Sequence, residues 1–283
     1  MKADLHLHTT ASDGRLEPKD IVSLAVKVGL DVIAITDHDT IGGITPALAA
    51  AEAFPSLMVI PGVEINTDVP HGEVHILGYF IDYTDQKLAV ALQRLRDSRQ
   101  GRAQQMVAKL GKLGMNIELQ RVLELTQGGS VGRPHVAQAL FEKDYVTSEK
   151  EAFDKYIGHD GPAYVERYKL LPVEAVKLIA DARGLPVLAH PADIGDLKEL
   201  VPKLKAVGLI GIEVYYRDYS SDVIAGLVKI AEQYDLITTG GTDYHAFGDD
   251  SEVIIGGALA PTQSVERLLA LADKHSLELL KQH

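Results

Sequence analysis

Cysteine is absent from the 283-residue chain, which excludes disulfides and any thiolate-bound zinc or iron–sulfur centre. A metal here has only His, Asp and Glu as side-chain donors, a set that suits hard or borderline ions. No apolar run approaches the roughly 18 residues that cross a bilayer. "MKADLHLH" also lacks the apolar core of a secretory signal, so no membrane partner is expected and a cytoplasmic location is. Basic residues are scarce, 28 Lys and Arg against 40 Asp and Glu, for a formal charge of −12. That deficit argues against binding long duplex nucleic acid, whose affinity rests on phosphate contacts. Small anionic substrates stay open, because bound cations can cancel carboxylates inside a pocket. Repeats and low-complexity tracts are missing as well, and the chain is long enough to bury a full core.

Strand-like and helical runs alternate up to about residue 82. "KADLHLH", "DVIAIT", "LMVIPGVE" and "EVHILGYFI" read as strands, with "EPKDIVSLAVKVG" and "IGGITPALAAAEAF" as helices. The rhythm resumes after about residue 170 with the strands "LPVLAH", "GIEVYY" and "LITTGGTDYH" among three helical runs. It closes on a candidate strand, "EVIIGGALA", and a helix from about Val265. Such alternation predicts parallel strands joined by crossover helices. Seven or eight strands suit an α/β fold of closed or nearly closed barrel type. Residues 88–168 carry helical runs only, which predicts a helical insert between a first barrel part, 1–87, and a second, 169–283.

In an extended strand alternate side chains share a face, so His6 and His8 of "ADLHLH" emerge together with Asp4. His38 in "AITDHDT", Glu64 in "IPGVEI" and His190 in "PVLAHPAD" follow buried runs. Asp243 and His245 end "TTGGTDYH", and His75 lies within "GEVHILGYF". A single histidine at a strand end is most often structural. Six segments delivering such groups to the C-terminal mouth of one barrel predict a polynuclear metal site.

"DLHLHTTASDG", "ITDHDT", "GVEI", "HILGY", "AHP" and "GTDYH" resemble, in order and spacing, the signature blocks of the PHP (polymerase and histidinol phosphatase) family. "TTASDGRLEP" and "TDHDTIGG" look like its nucleotide phosphoesterase branch, which includes 3′,5′-nucleoside bisphosphate phosphatases and a 5′-to-3′ exoribonuclease. The resemblance implies a distorted seven-stranded β/α barrel and two or three divalent ions, manganese foremost, with iron, zinc or magnesium as alternatives. By matching motif it implies His6, His8, Asp13, His38, Glu64, His75, His190, Asp243 and His245 as ligands. Glu64 would bridge ions, and water activated by the metals would attack phosphorus with no side chain needed as base.

In the insert, Arg133 and His135 lie at the amino end of the helix that opens at "GRPHVA", a ready anion site, and the resemblance implies that they and Arg102 bind substrate phosphate. Arg99 reads as part of a solvated helix face. Asp37 is expected to orient an imidazole, Asp4 has a weaker claim to the same role, and Tyr244 should face away into the core. Many relatives carry a proline and then a histidine after "GIEVYY"; this chain reads "RDYS", which leaves the role of Arg217 and Tyr219 open. His71 reads as a loop residue, and His159, His275 and His283 as structural or solvated. The expected substrate is a small nucleotide or short oligoribonucleotide. The alternatives are a histidinol-phosphate-type phosphatase, an amidohydrolase-type C–N hydrolase or an inactive accessory module, and the oligomeric state stays open.

Overall fold

Short aliphatic runs such as Val32–Ile35, buried at every position, can satisfy their backbone only by pairing on both sides. In a computed structural model, which describes residues 1–69, 72–126, 129–166, 168–217, 219–248, 253–273 and 277, they form one seven-stranded sheet. Its strands are β1 (Ala3–Leu7), β2 (Val32–Ile35), β3 (Met58–Val69), β4 (Gly72–Tyr79), β5 (Leu185–Leu188), β6 (Gly211–Tyr216) and β7 (Ile237–Gly241). They stand side by side in chain order. A parallel bridge between Leu7 and Tyr244 and a 3.0 Å bond from His8 N to Tyr244 O bring the last strand end beside the first, so the barrel is nearly closed.

Two expectations need correction. The strands are not all parallel, since β4 runs antiparallel to both β3 and β5. β3 extends to Val69, and two residues separate it from β4, whereas a parallel crossover needs a dozen or more. The run "EVIIGGALA" is no eighth strand over its described residues, and only Ala260 forms a bridge, antiparallel to Ala3. There Gly256 N–H is spent on the Asp4 side chain at 2.9 Å instead of a ladder.

Helices α1 (Pro18–Lys27) and α2 (Ile44–Ala51) follow β1 and β2. Five more lie between β4 and β5: α3 (Gln86–Lys112), α4 (Leu119–Leu125), α5 (Arg133–Glu142), α6 (Glu149–Ala152) and α7 (Pro172–Asp181). Three others, α8 (Leu197–Lys205), α9 (Ser221–Gln233) and α10 (Thr262–Leu271), accompany the later strands. One apolar cluster packs α1, α2 and α7–α9 on the sheet. A separate cluster, from Ala103 to Val165, has no strand residue in it. No described helix is long and apolar enough to cross a membrane.

β7 approaches β1 through Gly241, where a Cβ would collide with His6 Cβ and stand 2.6 Å from His6 N. Gly226, exposed within α9, has nothing within 4 Å of its absent Cβ. In urea unfolding, Gly241→Ala is expected to lose about 1–3 kcal/mol by overpacking, while Gly226→Ala gains roughly 0.5–1 kcal/mol of helix propensity. Equal effects would contradict this packing of β7 on β1.

Candidate metal centre

The period-two pleat of β1 puts His6 and His8 on one face, and both are fully buried. Glu64, also fully buried, comes from the middle of β3, where His38 bridges to it in parallel register. His6 Nε2 and His8 Nε2 each lie 3.2 Å from Glu64 Oε2, and His38 Nδ1 lies 3.0 Å from it. On the other oxygen, Oε1, converge His75 Nδ1 at 2.8 Å and His190 Nε2 at 3.1 Å. Asp243 Oδ1 stands 3.0 Å from His8 Nε2 and 3.4 Å from His6 Nε2. Asp13 Oδ1 is 3.3 Å from His245 Nε2, and Asp13 Oδ2 is 3.9 Å from His38 Nε2. All nine expected donors therefore meet, in overlapping groups that include His6, His8, Glu64 and Asp243 on one side and His8, Asp13, His38 and His245 on the other.

Two donors each about 2.1 Å from a shared ion, at right angles, stand about 3 Å apart, and these gaps match. His6 Nε2, both ring nitrogens of His8, Asp13 Oδ1, His38 Nδ1 and Glu64 Oε2 are buried and meet no hydrogen-bond geometry. Buried polar atoms rarely go unpaired, so the cage fits divalent cations. Electrostatics agree. Burial opposes charge on Glu64, yet the facing His38, His6 and His75 hold it well below the carboxylate range. Burial likewise lowers His8 and His75, but Asp243 and Glu64 push His8 up to about 10, and Glu64 pushes His75 up to about 9. The cage has a strong demand for positive charge.

Residues 4–166 match the family model described as PHP domain. This chain belongs to the PHP family. It is 35% identical over 247 residues to the 5′-3′ exoribonuclease Rnm of Escherichia coli K12, spanning 86% of this chain and 84% of that one. It is 32% identical over 251 residues to the 3′,5′-nucleoside bisphosphate phosphatase of Chromobacterium violaceum, spanning 87% and 88%. A crystal structure of a presumed metal-dependent phosphoesterase from Bifidobacterium adolescentis superposes with a TM-score of 0.88 at 28% identity, covering 96% of each chain.

Around this PHP centre several side chains do other work than expected. Among the described residues no imidazole bonds Asp37; Thr9 N–H, the Thr9 hydroxyl and the Ser12 hydroxyl donate to it at 2.7–2.9 Å. It thus fixes the loop that carries Asp13. Asp4 receives Thr242 and Gly256, and burial raises it to about 6. Glu213 was not anticipated. Fully buried on β6, its Oε1 lies 3.0 Å from His6 Nδ1, and its Oε2 accepts His190 N–H at 2.8 Å. An acid inside the apolar run "GIEVYY" was the available signal. Tyr244 packs on the main apolar cluster. His159 is exposed beside Asp160, and His71, His275 and His283 lie outside the described residues.

The reading of Arg99 as solvated is wrong. The buried stripe of α3 runs Leu88, Leu92, Leu95, Arg99, Arg102, Met106 and Leu110, so both arginines sit in apolar register. Arg99 Nε donates to Asp39 Oδ2 at 2.7 Å, and its Nη2 to Asn66 Oδ1 at 2.6 Å. Asn66 Nδ2 lies 2.8 Å from His75 Nε2. Arg102 Nε donates to Val165 O at 2.7 Å, while its buried Nη2 has no hydrogen-bond partner. Arg133 and Lys169 both reach Glu73, at 3.0 and 2.8 Å. His135 Nδ1 accepts Gly132 N–H at 2.9 Å. Arg99→Met, which removes the guanidinium paired with the buried Asp39 carboxylate, is expected to cost about 3–5 kcal/mol in urea unfolding; a cost within about 0.5 kcal/mol would restore the solvated reading.

Proposed function

We propose that this PHP chain is a cytoplasmic, metal-dependent phosphoesterase that hydrolyses phosphate esters of nucleotides, either 3′,5′-nucleoside bisphosphates or the 5′ ends of short RNA. The convergence of nine His, Asp and Glu donors in overlapping groups, with five imidazoles on the two oxygens of Glu64, carries this reading. His6, His8, Glu64 and Asp243 would hold one ion, Glu64, His75 and His190 a second, and Asp13, His38 and His245 a third, with manganese the favoured metal. Bound there, such ions supply Lewis-acid chemistry, making water acidic near neutral pH and stabilising charge on phosphoryl oxygens.

The protein's own part is to position and to balance charge. Glu213 fixes His6 by its Nδ1, so that Nε2 faces the cage. Opposite, among the described residues, Arg99 pairs with Asp39 while Arg133 and Lys169 share Glu73, so with Arg102 the cations outnumber the carboxylates they meet there. Burial, and then the neighbouring Arg133, pull Arg102 down to about 10. A phosphate dianion would neutralise that excess and give Arg102 Nη2 an acceptor. His135, lowered by burial and accepting on Nδ1, offers Nε2–H as a neutral donor.

Glu64 fills the mid-barrel position where an amidohydrolase-type C–N hydrolase would place a carbamylated lysine or its own carboxylate. The arginines favour a nucleotide over histidinol phosphate, and a full donor set disfavours an inactive accessory module. Chelated, manganese-reloaded protein assayed on 3′,5′-bisphosphonucleotides, 5′-phosphorylated short RNA and histidinol phosphate tests this. Activity is expected to vanish with chelation and return with manganese. Arg133→Ala should lower kcat/KM on the nucleotide substrates about 10–100-fold, the equivalent of one charge-assisted hydrogen bond. Because His8 and His75 must shed protons to ligate, ion affinity should strengthen as pH rises toward about 9–10. Preference for histidinol phosphate, or an unchanged Arg133→Ala rate, would overturn the nucleotide reading.

A further inference from the structure

Just past β5, β6 and β7, the residues His190, Arg217 and Asp243 all hold φ in the left-handed region, at +24°, +38° and +50°. Side chains with a Cβ adopt it rarely, and such strain persists where the surroundings over-determine it, often at functional sites. His190 and Asp243 have roles in the cage; Arg217 has had none. Its Nη2 donates to Asp243 Oδ2 at 2.7 Å and to Asp243 O at 3.2 Å. The Tyr216 hydroxyl donates to the same Oδ2 at 2.8 Å. Tyr216 is itself held between rings, its centroid 5.3 Å from His190 and 5.0 Å from Tyr219, whose hydroxyl accepts Ala192 N–H at 3.2 Å. The Asp243 side chain is only 11% exposed, so this is not a surface ion pair.

The two oxygens of Asp243 therefore have separate duties. Oδ2 is taken by two donors from the β6 end, and Oδ1 faces His6 and His8. We infer that Arg217 and Tyr216 are positioning residues that occupy the outer oxygen of Asp243, so that its inner oxygen alone faces the cage, and thereby set the affinity of the His6–His8–Glu64–Asp243 group for its ion. The inference rests on the proposed function and assigns Tyr216 and Arg217 a task. Arg217 tolerates a strained backbone because its guanidinium reaches Asp243 from there.

The test titrates the chelated full-length chain with manganese chloride by calorimetry, beside urea unfolding in chelator, for wild type, Arg217→Gly, Arg217→Lys and Tyr216→Phe. Glycine takes φ +38° without strain, which offsets loss of the Arg217–Asp243 pair, and Tyr216 still donates to Oδ2, so Arg217→Gly should unfold near the wild-type urea midpoint. Its affinity for one ion should nevertheless fall about 10–100-fold, as for lost outer partners of metal ligands, with the other ions unaffected. Arg217→Lys should recover part of that loss, and Tyr216→Phe should show a smaller one. Wild-type affinity for every ion in Arg217→Gly overturns the inference. So does weakening of all ions together with a lower urea midpoint, which marks damage to the fold. Wild type that takes up no manganese overturns the proposed function, and this inference with it, before any variant is compared.

Discussion

Five imidazole nitrogens stand within 3.2 Å of the two oxygens of one fully buried carboxylate, Glu64. Burying an ionised group is costly unless it is paired, and no arrangement of hydrogen bonds here serves all the facing atoms. The requirement for cations among these groups shapes much of what surrounds them. β3 must run long enough to carry Glu64 between β2 and β4, β1 must alternate so that both histidines face inward, and Gly241 must lack a side chain so that β7 can bring Asp243 beside them. Around the cage, Glu213, Asp37 and Asp4 spend their carboxylates on orienting a ring or on holding loop backbone.

The helices between β4 and β5 meet the barrel mouth through polar groups as well as apolar ones. Arg99 reaches down to Asp39 and Asn66, and Asn66 touches His75. Glu73, near the start of β4, gathers Arg133 from α5 and Lys169 from the segment before α7. The cationic wall is thus tied to the strands that carry the cage. Its distance from the cage is set by short side-chain bridges, which suits a ligand that must touch both.

Eight of the nine grouped donors stood out locally, while Asp13 entered only through the resemblance of "DLHLHTTASDG" to a family block. A histidine one residue from another in a strand, or an acid ending an apolar run, marks a face within a few residues. Partners across the chain were harder to see. Glu213 was visible as an acid in a buried strand, but its meaning depends on His6, 207 positions away. Arg99 was misread because its charge outweighed its register, although the steps of four and three from Leu88 to Leu110 placed it inward. The reversal of β4 was hidden because the third strand was read only over "LMVIPGVE", while backbone pairing carries β3 through Val69. Aspartates beside histidines suggested ring orientation, whereas loop N–H and hydroxyl groups nearer in space claimed Asp37.

Diffraction at the manganese absorption edge, from crystals grown with manganese, tests the central claim most directly. The account predicts at least two anomalous peaks, one near each oxygen of Glu64 at about 2–2.5 Å, and separated from each other by roughly 3.5–4 Å. Absence of any peak, or peaks only at sites that leave Glu64 and its five imidazoles without an ion, would contradict it.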